Sequence, residues 1–180
     1  MLVGVLSDTH GRLPAQAYAA LADCDHIIHA GDIGGPEILR ELQTLAPVTA
    51  VLGNNDYAEY GPSVGRFATV RLDGVNFLVA HYPRDVRVSA TSSVLAPGDP
   101  IPDICIHGHT HTPRLDFGRD VRPAQFVVNP GSVSRPRNGE QRSIAKIALD
   151  GGRIISIAIE SRSGSEILSV HPGAKEQPSR

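Results

Sequence analysis

Residues 2–21, LVGVLSDTHGRLPAQAYAAL, pass from a short aliphatic run (Leu2–Leu6) through a polar break, Ser7-Asp8-Thr9-His10-Gly11, into an alanine-rich stretch with Pro14 in a first-turn position. A β-rich run that stops at a Gly/Asp loop and gives way to helical spacing reads as strand, loop and helix. The unit then repeats. His26-Ile27-Ile28-His29 leads through Ala30-Gly31-Asp32-Ile33-Gly34-Gly35 into Pro36–Leu45, where Ile38, Leu39, Leu42 and Leu45 recur at helical spacing. Val48–Leu52 is a third β-rich run, and it ends in Gly53-Asn54-Asn55-Asp56. Parallel strands joined by helices account for this rhythm. In such sheets the carboxyl ends of the strands share one edge, where ligands bind, so polar residues in these loops can converge.

Beyond residue 66 strands dominate. Phe67–Leu72 and Val75–Ala80 flank the pair Asp73-Gly74 and form a hairpin that ends at His81. Further runs are Ile104–Ile106, Leu115–Phe117, Phe126–Val128, Ile144–Leu149 and Ile154–Ile159, with Asp150-Gly151-Gly152 turning between the last two. A helix is expected at Ser89–Leu95. A βαβα half followed by a strand-rich half predicts the α/β class, with two mixed sheets packed face to face and helices outside, an αββα sandwich. The expected organisation is one domain over residues 1–160, followed by a polar tail over 161–180 whose apolar anchors are Ile167 and Leu168.

Composition narrows the function. A chain of 180 residues can bury a core without disulfides, and no apolar run approaches the roughly 18 to 20 residues of a membrane span. Seventeen basic against nineteen acidic residues leave a charge of −2, so no long nucleic-acid partner is expected. Cys24 and Cys105 can form one bridge at most and the N-terminus lacks a secretory signal's shape, so a reducing cytoplasm is the expected setting. The two cysteines read as small core residues.

The candidate chemistry lies at strand ends. Asp8 and His10, two apart after the first run, put their side chains on one side of an extended backbone. Asp32, Asn54 and His81 follow the second, third and fifth runs, and His107-Gly108-His109-Thr110-His111 packs three imidazoles into five residues, of which the alternating pair His109 and His111 can face the same point. Each alone is ordinary turn chemistry or a satisfied polar side chain. Together they are oxygen and imidazole donors, without thiolates, at successive strand ends. Seven such groups exceed the three or four ligands that one zinc usually takes, which suggests two metals bridged by Asp32. The donor set suits manganese, iron or zinc, with manganese the first expectation.

These blocks, D-T-H at Asp8, G-D at Asp32, G-N-N-D at Gly53, the lone His81 and G-H-T-H at Gly108, resemble the calcineurin-like metallophosphoesterases, in the family's order. The Ile-His-Ala-Gly-Asp wording around His29 and Asn129-Pro130-Gly131-Ser132-Val133-Ser134-Arg135-Pro136 are similar to its small bacterial and archaeal phosphodiesterases. The resemblance implies one metal held by Asp8, His10, Asp32 and His111, and a second by Asp32, Asn54, His81 and His109. His26, His29, His107 and His171 match no ligand position and read as structural.

Two departures bear on chemistry. Where much of the superfamily has a histidine that protonates the leaving oxygen or helps bind phosphate, this chain has Asn55, and asparagine cannot be a general acid near neutral pH. His81 is followed by Tyr82-Pro83-Arg84, where many relatives continue His-Gly-His. The expected enzyme is a dimetal phosphodiesterase acting on small esters by in-line attack of a metal-bridging hydroxide, with Asn54 and Asn55 touching substrate and Asn55 the candidate catalytic position. Alternatives are a phosphomonoesterase on the same site and a non-catalytic scaffold of the same fold. Arg135 and Arg137, like Arg84 and Arg87, are either phosphate grips or exposed loop cations. Homo-oligomerisation through an edge strand or the tail stays open.

Overall fold

The computed structural model describes residues 1–88, 94–96 and 98–172. Two strand–helix units open the chain: β1 (Leu2–Leu6), α1 (Ala15–Ala20), β2 (His26–His29) and α2 (Pro36–Gln43), followed by β3 (Val48–Ala50). α2 begins with Pro36, whose missing N–H is no loss in a first turn. Glu37 and Arg40 lie near the ends that favour their charges, and Ile38, Leu39 and Leu42 are its buried face. Leu42 is fully buried, and its truncation to alanine would cost about 2 to 5 kcal/mol.

The second half supplies β4 (Phe67–Leu72), β5 (Val75–Ala80), β6 (Ile104–Ile106), β7 (Arg114–Phe117), β8 (Phe126–Asn129), β9 (Ser143–Asp150), β10 (Arg153–Ser161) and β11 (Glu166–Val170). Asp73 and Gly74 both have positive φ, 44° and 85°, the backbone that a two-residue hairpin between β4 and β5 requires.

One sheet has the strand order β11-β10-β9-β1-β2-β3 and the other β4-β5-β6-β8-β7. β1, β2 and β3 run parallel in the first, and β5, β6 and β8 in the second. The remaining neighbours are antiparallel, so both sheets are mixed. Their facing sides enclose the main core, in which Val3, Val5 and Ile147 of one sheet meet Phe77, Val79 and Ile106 of the other. α1, through Ala17, Ala20 and the Leu21 that follows it, and α2, through Ile38, Leu39 and Leu42, cover the outer face of the six-stranded sheet. On the outer face of the five-stranded sheet, Val86, Val88, Val94 and Leu95 pack over Leu78 and Cys105.

This is the expected sandwich, with one correction and one gap. Glu166–Val170 was expected in a polar tail but pairs with β10 as the edge strand β11. Its side chains are exposed or half-buried, so little apolar patterning was required of it. The helix expected at Ser89–Leu95 falls mostly outside the described residues, as does the end of the chain from residue 173.

Candidate metal centre

Every candidate ligand sits one to five residues beyond a strand, and the parallel runs of each sheet bring those ends to one edge. Asp8 and His10 follow β1, Asp32 follows β2 and Asn54 follows β3. From the other sheet, His81 follows β5, and His109 and His111 follow β6. Bonds between loops lock them together: Asp8 N–H donates to Gly31 O at 3.0 Å, His10 N–H to Asp32 O at 2.9 Å and Gly108 N–H to His81 O at 3.1 Å.

The backbone there is unusual. Asp8, His10, Asp32, His109 and His111 all have φ between 47° and 69°, a left-handed region that costs an ordinary residue about 1 to 3 kcal/mol. Such strain persists only where the surroundings over-determine it, and it turns consecutive loop side chains toward a common point.

One group is tight: ligand atoms of Asp8, His10, Asp32 and His111 lie within 4.8 Å of one another. His111 Nε2 is 3.1 Å from Asp8 Oδ1 and 3.3 Å from His10 Nε2, and His10 Nε2 is 3.8 Å from Asp32 Oδ2. The second group adjoins it through Asp32, whose Oδ2 is 3.5 Å from His81 Nε2. Asn54 Oδ1 lies 3.2 Å from His81 Nε2 and 2.9 Å from His109 Nδ1. All seven residues singled out in the sequence therefore meet in one place.

The donor chemistry fits cations. His111 Nδ1 lies against the Arg135 carbonyl and His81 Nδ1 lies 2.8 Å from the Ala30 carbonyl. A carbonyl only accepts, so each Nδ1 carries a proton and, in the neutral ring, leaves the Nε2 lone pair facing carboxylate or carboxamide oxygens. Acceptors that face acceptors call for a positive charge between them, a proton on the imidazole or a metal ion. Asp8 Oδ1 makes the point most sharply. It is completely buried and has no aligned hydrogen-bond donor among the described residues, despite His111 Nε2 at ion-pair distance.

Titration follows the same field. The Asp8 carboxylate raises the His111 pKa, and burial and Arg137 only partly oppose it. Burial lowers His81, but its bonds to Asp32 and Ala30 and the Asp8 and Asp32 charges more than offset this. His10 and His109 move down, chiefly by burial. Burial alone would raise the Asp32 carboxyl, yet bonds from His81 and Asn55 hold it well below the usual carboxylate range.

Residues beyond the ligand set brace it. Ser132 and Ser134 hydroxyls both donate to Asp8 O, at 3.0 and 2.8 Å, and Asn129 Nδ2 donates to Gly108 O and Thr110 Oγ1. The Asn-Pro-Gly-Ser segment, which the run Val127-Val128 into Asn129 marks in the sequence as a structural turn, is thus a brace on two candidate ligand loops. Asp56 gathers the N–H groups of Ile33, Gly34 and Gly53 and the Tyr60 hydroxyl, tying the Asp32 loop to the Asn54 loop. His29 is fully buried and bonds Thr9 and Gly31, the structural part expected of it. His107 is likewise buried, with Nδ1 against Gly108 O. Tyr82 packs its ring 4.6 Å from His109, and the Arg84 guanidinium lies 4.7 Å over Tyr82. Arg135 enters the site through its carbonyl. Cys24 and Cys105 are free, buried core residues, and no helix among the described residues is long and apolar enough to cross a membrane.

Comparison with known proteins agrees with this geometry. Residues 1–152 match the calcineurin-like phosphoesterase superfamily domain. A probable metallophosphoesterase of Methanothermobacter thermautotrophicus is 35% identical over 162 residues, 86% of this chain and 89% of that one. A phosphodiesterase of Methanocaldococcus jannaschii is 30% identical over 73% of this chain and 83% of its own. In fold, the chain is similar to YfcE, a phosphoesterase from E. coli, with a TM-score of 0.69 and 23% identity over 95% of this chain and 99% of that one. It is equally similar to Vps29 of Entamoeba histolytica complexed with zinc, with a TM-score of 0.71 and 19% identity over 95% and 99% of the two chains.

Proposed function

Since this chain belongs to the calcineurin-like phosphoesterase superfamily, we propose that it is a hydrolase of small phosphodiesters working with two divalent ions, manganese before zinc or iron. Asp8, His10, Asp32 and His111 would hold one ion, and Asp32, Asn54, His81 and His109 the other. The observation that carries this reading is the buried, unpartnered Asp8 Oδ1 in a tight group with His10, Asp32 and His111. Two ions bound there would neutralise the phosphoryl oxygens and activate the attacking water.

The protein's own part is orientation. Ala30 O and Arg135 O fix the tautomers of His81 and His111, and Ser132 and Ser134 hold Asp8 from behind. Arg137, whose charge is felt by His109 and His111, and Arg84, stacked on the Tyr82 ring that packs against His109, would favour an anionic ester. With Asn55 in the general-acid place, no side chain of the motif can protonate the leaving oxygen. Esters whose leaving group is stable as an anion are therefore the best substrates. The phosphodiesterase named among the relatives supports diesters over monoesters. The full set of seven donors weighs against a non-catalytic scaffold.

The test is elemental analysis of the purified protein, paired with hydrolysis of a chromogenic aryl phosphodiester after reconstitution with manganese, zinc or iron, and with Asp32→Ala as control. Two metals per chain and turnover that depends on Asp32 are expected. Stoichiometric metal without turnover on diesters or monoesters would favour the scaffold, and absence of stoichiometric metal would refute the metal centre itself.

A further inference from the structure

Asn55 grips both oxygens of one carboxylate. Its backbone N–H donates to Asp32 Oδ1 at 2.8 Å and its side-chain Nδ2 donates to Asp32 Oδ2 at 2.7 Å. The two oxygens are not equivalent. Oδ1 is turned toward the Gly53–Asn55 backbone, so tightly that a Cβ at Gly53 would overlap it. Oδ2 faces the site, between His10 Nε2 at 3.8 Å and His81 Nε2 at 3.5 Å. It is therefore the oxygen that lies within reach of both candidate ion positions.

A carboxylate oxygen offers two lone pairs in its plane. Serving two ions uses both, and the Asn55 carboxamide already occupies one. The backbone bond to Oδ1 keeps the carboxylate oriented without the side chain, so the carboxamide is not required as a clamp. Asp32 is only 2% exposed while Asn55 is exposed, so the side chain covers a buried anion from the open side of the site.

Resting on the two-ion reading above, we propose that the Asn55 carboxamide is a displaceable donor. It holds one lone pair of Asp32 Oδ2 until the second ion takes that oxygen, and it is then free to hydrogen-bond a phosphoryl oxygen of the substrate. The ions consequently load in order. The first enters among Asp8, His10, Asp32 and His111, using the lone pair of Oδ2 that Asn55 leaves free, whereas the second must break this bond. A substrate-binding amide thus becomes available only in the fully loaded protein. Position 55, the general-acid place elsewhere in the superfamily, acquires here a role that couples metal content to substrate binding.

The experiment titrates chelator-treated protein with zinc chloride, using calorimetry for the two binding steps and the side-chain NH2 resonances of ¹⁵N-labelled protein for the amide. In the unaltered protein two equivalents bind, and the Asn55 side-chain resonance moves with the second, not the first. Asn55→Ala, checked against Asn55→Ser so that one misfolded variant does not decide the matter, keeps the first affinity and binds the second equivalent about 10-fold tighter. That is the weight of losing one hydrogen bond to a charged acceptor. Inorganic phosphate then binds the doubly loaded variants about 10-fold more weakly. Two equivalents with a second affinity unchanged or weakened in both variants would overturn the displaceable amide alone. A single equivalent, or none, in the unaltered protein would overturn the two-ion reading and this proposal with it.

Discussion

The buried His29 makes the metal-free protein sensitive to mild acid. Its ring is fully buried at the end of β2, with Nδ1 accepting from Gly31 N–H at 3.2 Å and Nε2 2.9 Å from Thr9 Oγ1, whose hydroxyl donates to Ile33 O. That chain of bonds fixes the neutral tautomer with its proton on Nε2, because a proton on Nδ1 would confront the Gly31 N–H. Burial pushes the pKa from 6.5 down to about 4. Between those values the unfolded chain binds the proton and the folded chain does not, so stability is complete above pH 6.5 and falls as the pH drops toward 4. Linkage gives a loss of about 2 kcal/mol between pH 7 and pH 5, and about 3 kcal/mol once the pH is below 4. Urea unfolding of chelator-treated protein at pH 7, 6 and 5, beside His29→Gln, isolates this contribution. The variant is expected to lose about 2 kcal/mol less over the same range, whatever its stability at pH 7. Parallel pH dependence in the two proteins would refute the reasoning.

Other outcomes follow from the same geometry. Matched aryl and alkyl phosphodiesters should differ by far more than their intrinsic reactivities, and Asn55→His should improve the alkyl ester about 10²-fold or more, read as kcat/KM on each. Gly53→Ala would drive a methyl into Asp32 Oδ1 and its backbone nitrogen, so bound metal by elemental analysis should fall while the far-UV circular dichroism spectrum persists. At His10, with φ 47°, glycine avoids the left-handed penalty that alanine bears. His10→Gly should therefore be about 0.5 to 1 kcal/mol more stable than His10→Ala in urea unfolding of the metal-free proteins, after allowing for glycine's greater chain entropy.

What could be read in advance depended on whether a residue's work leaves a pattern along the chain. β1, β2 and β3 were legible because aliphatic runs stop at Gly/Asp/Asn loops, and a parallel arrangement then forces the loop residues Asp8, Asp32 and Asn54 to one edge. His81, His109 and His111 were legible by residue type and strand position. β11 was not, since an edge strand with half-buried side chains needs no strong alternation, and Ser-Glu-Ile-Leu-Ser looks like solvated chain. Ser132 and Ser134 were opaque for another reason: a hydroxyl bonding a distant backbone carbonyl has no periodic signature. Asp56 looked like the end of a turn, and only the fold shows it collecting three amide groups from two loops. The left-handed backbone at five candidate ligands was equally hard to read, because aspartate and histidine favour positive φ only weakly and most of them do not adopt it.

The seven proposed ligands are divided between two sheets whose inner faces meet across Val3, Phe77, Ile106 and Ile147. Aliphatic bulk that never approaches an ion therefore acts as a spacer, setting how far the Asp8–Asp32 edge stands from the His81–His111 edge. Coordination tolerates only a few tenths of an ångström, so the thickness of the sandwich is a gauge built into the site. If the seven side chains hold ions as proposed, drift in interior volume must be compensated within the core, or it would surface as altered metal preference before the fold is lost.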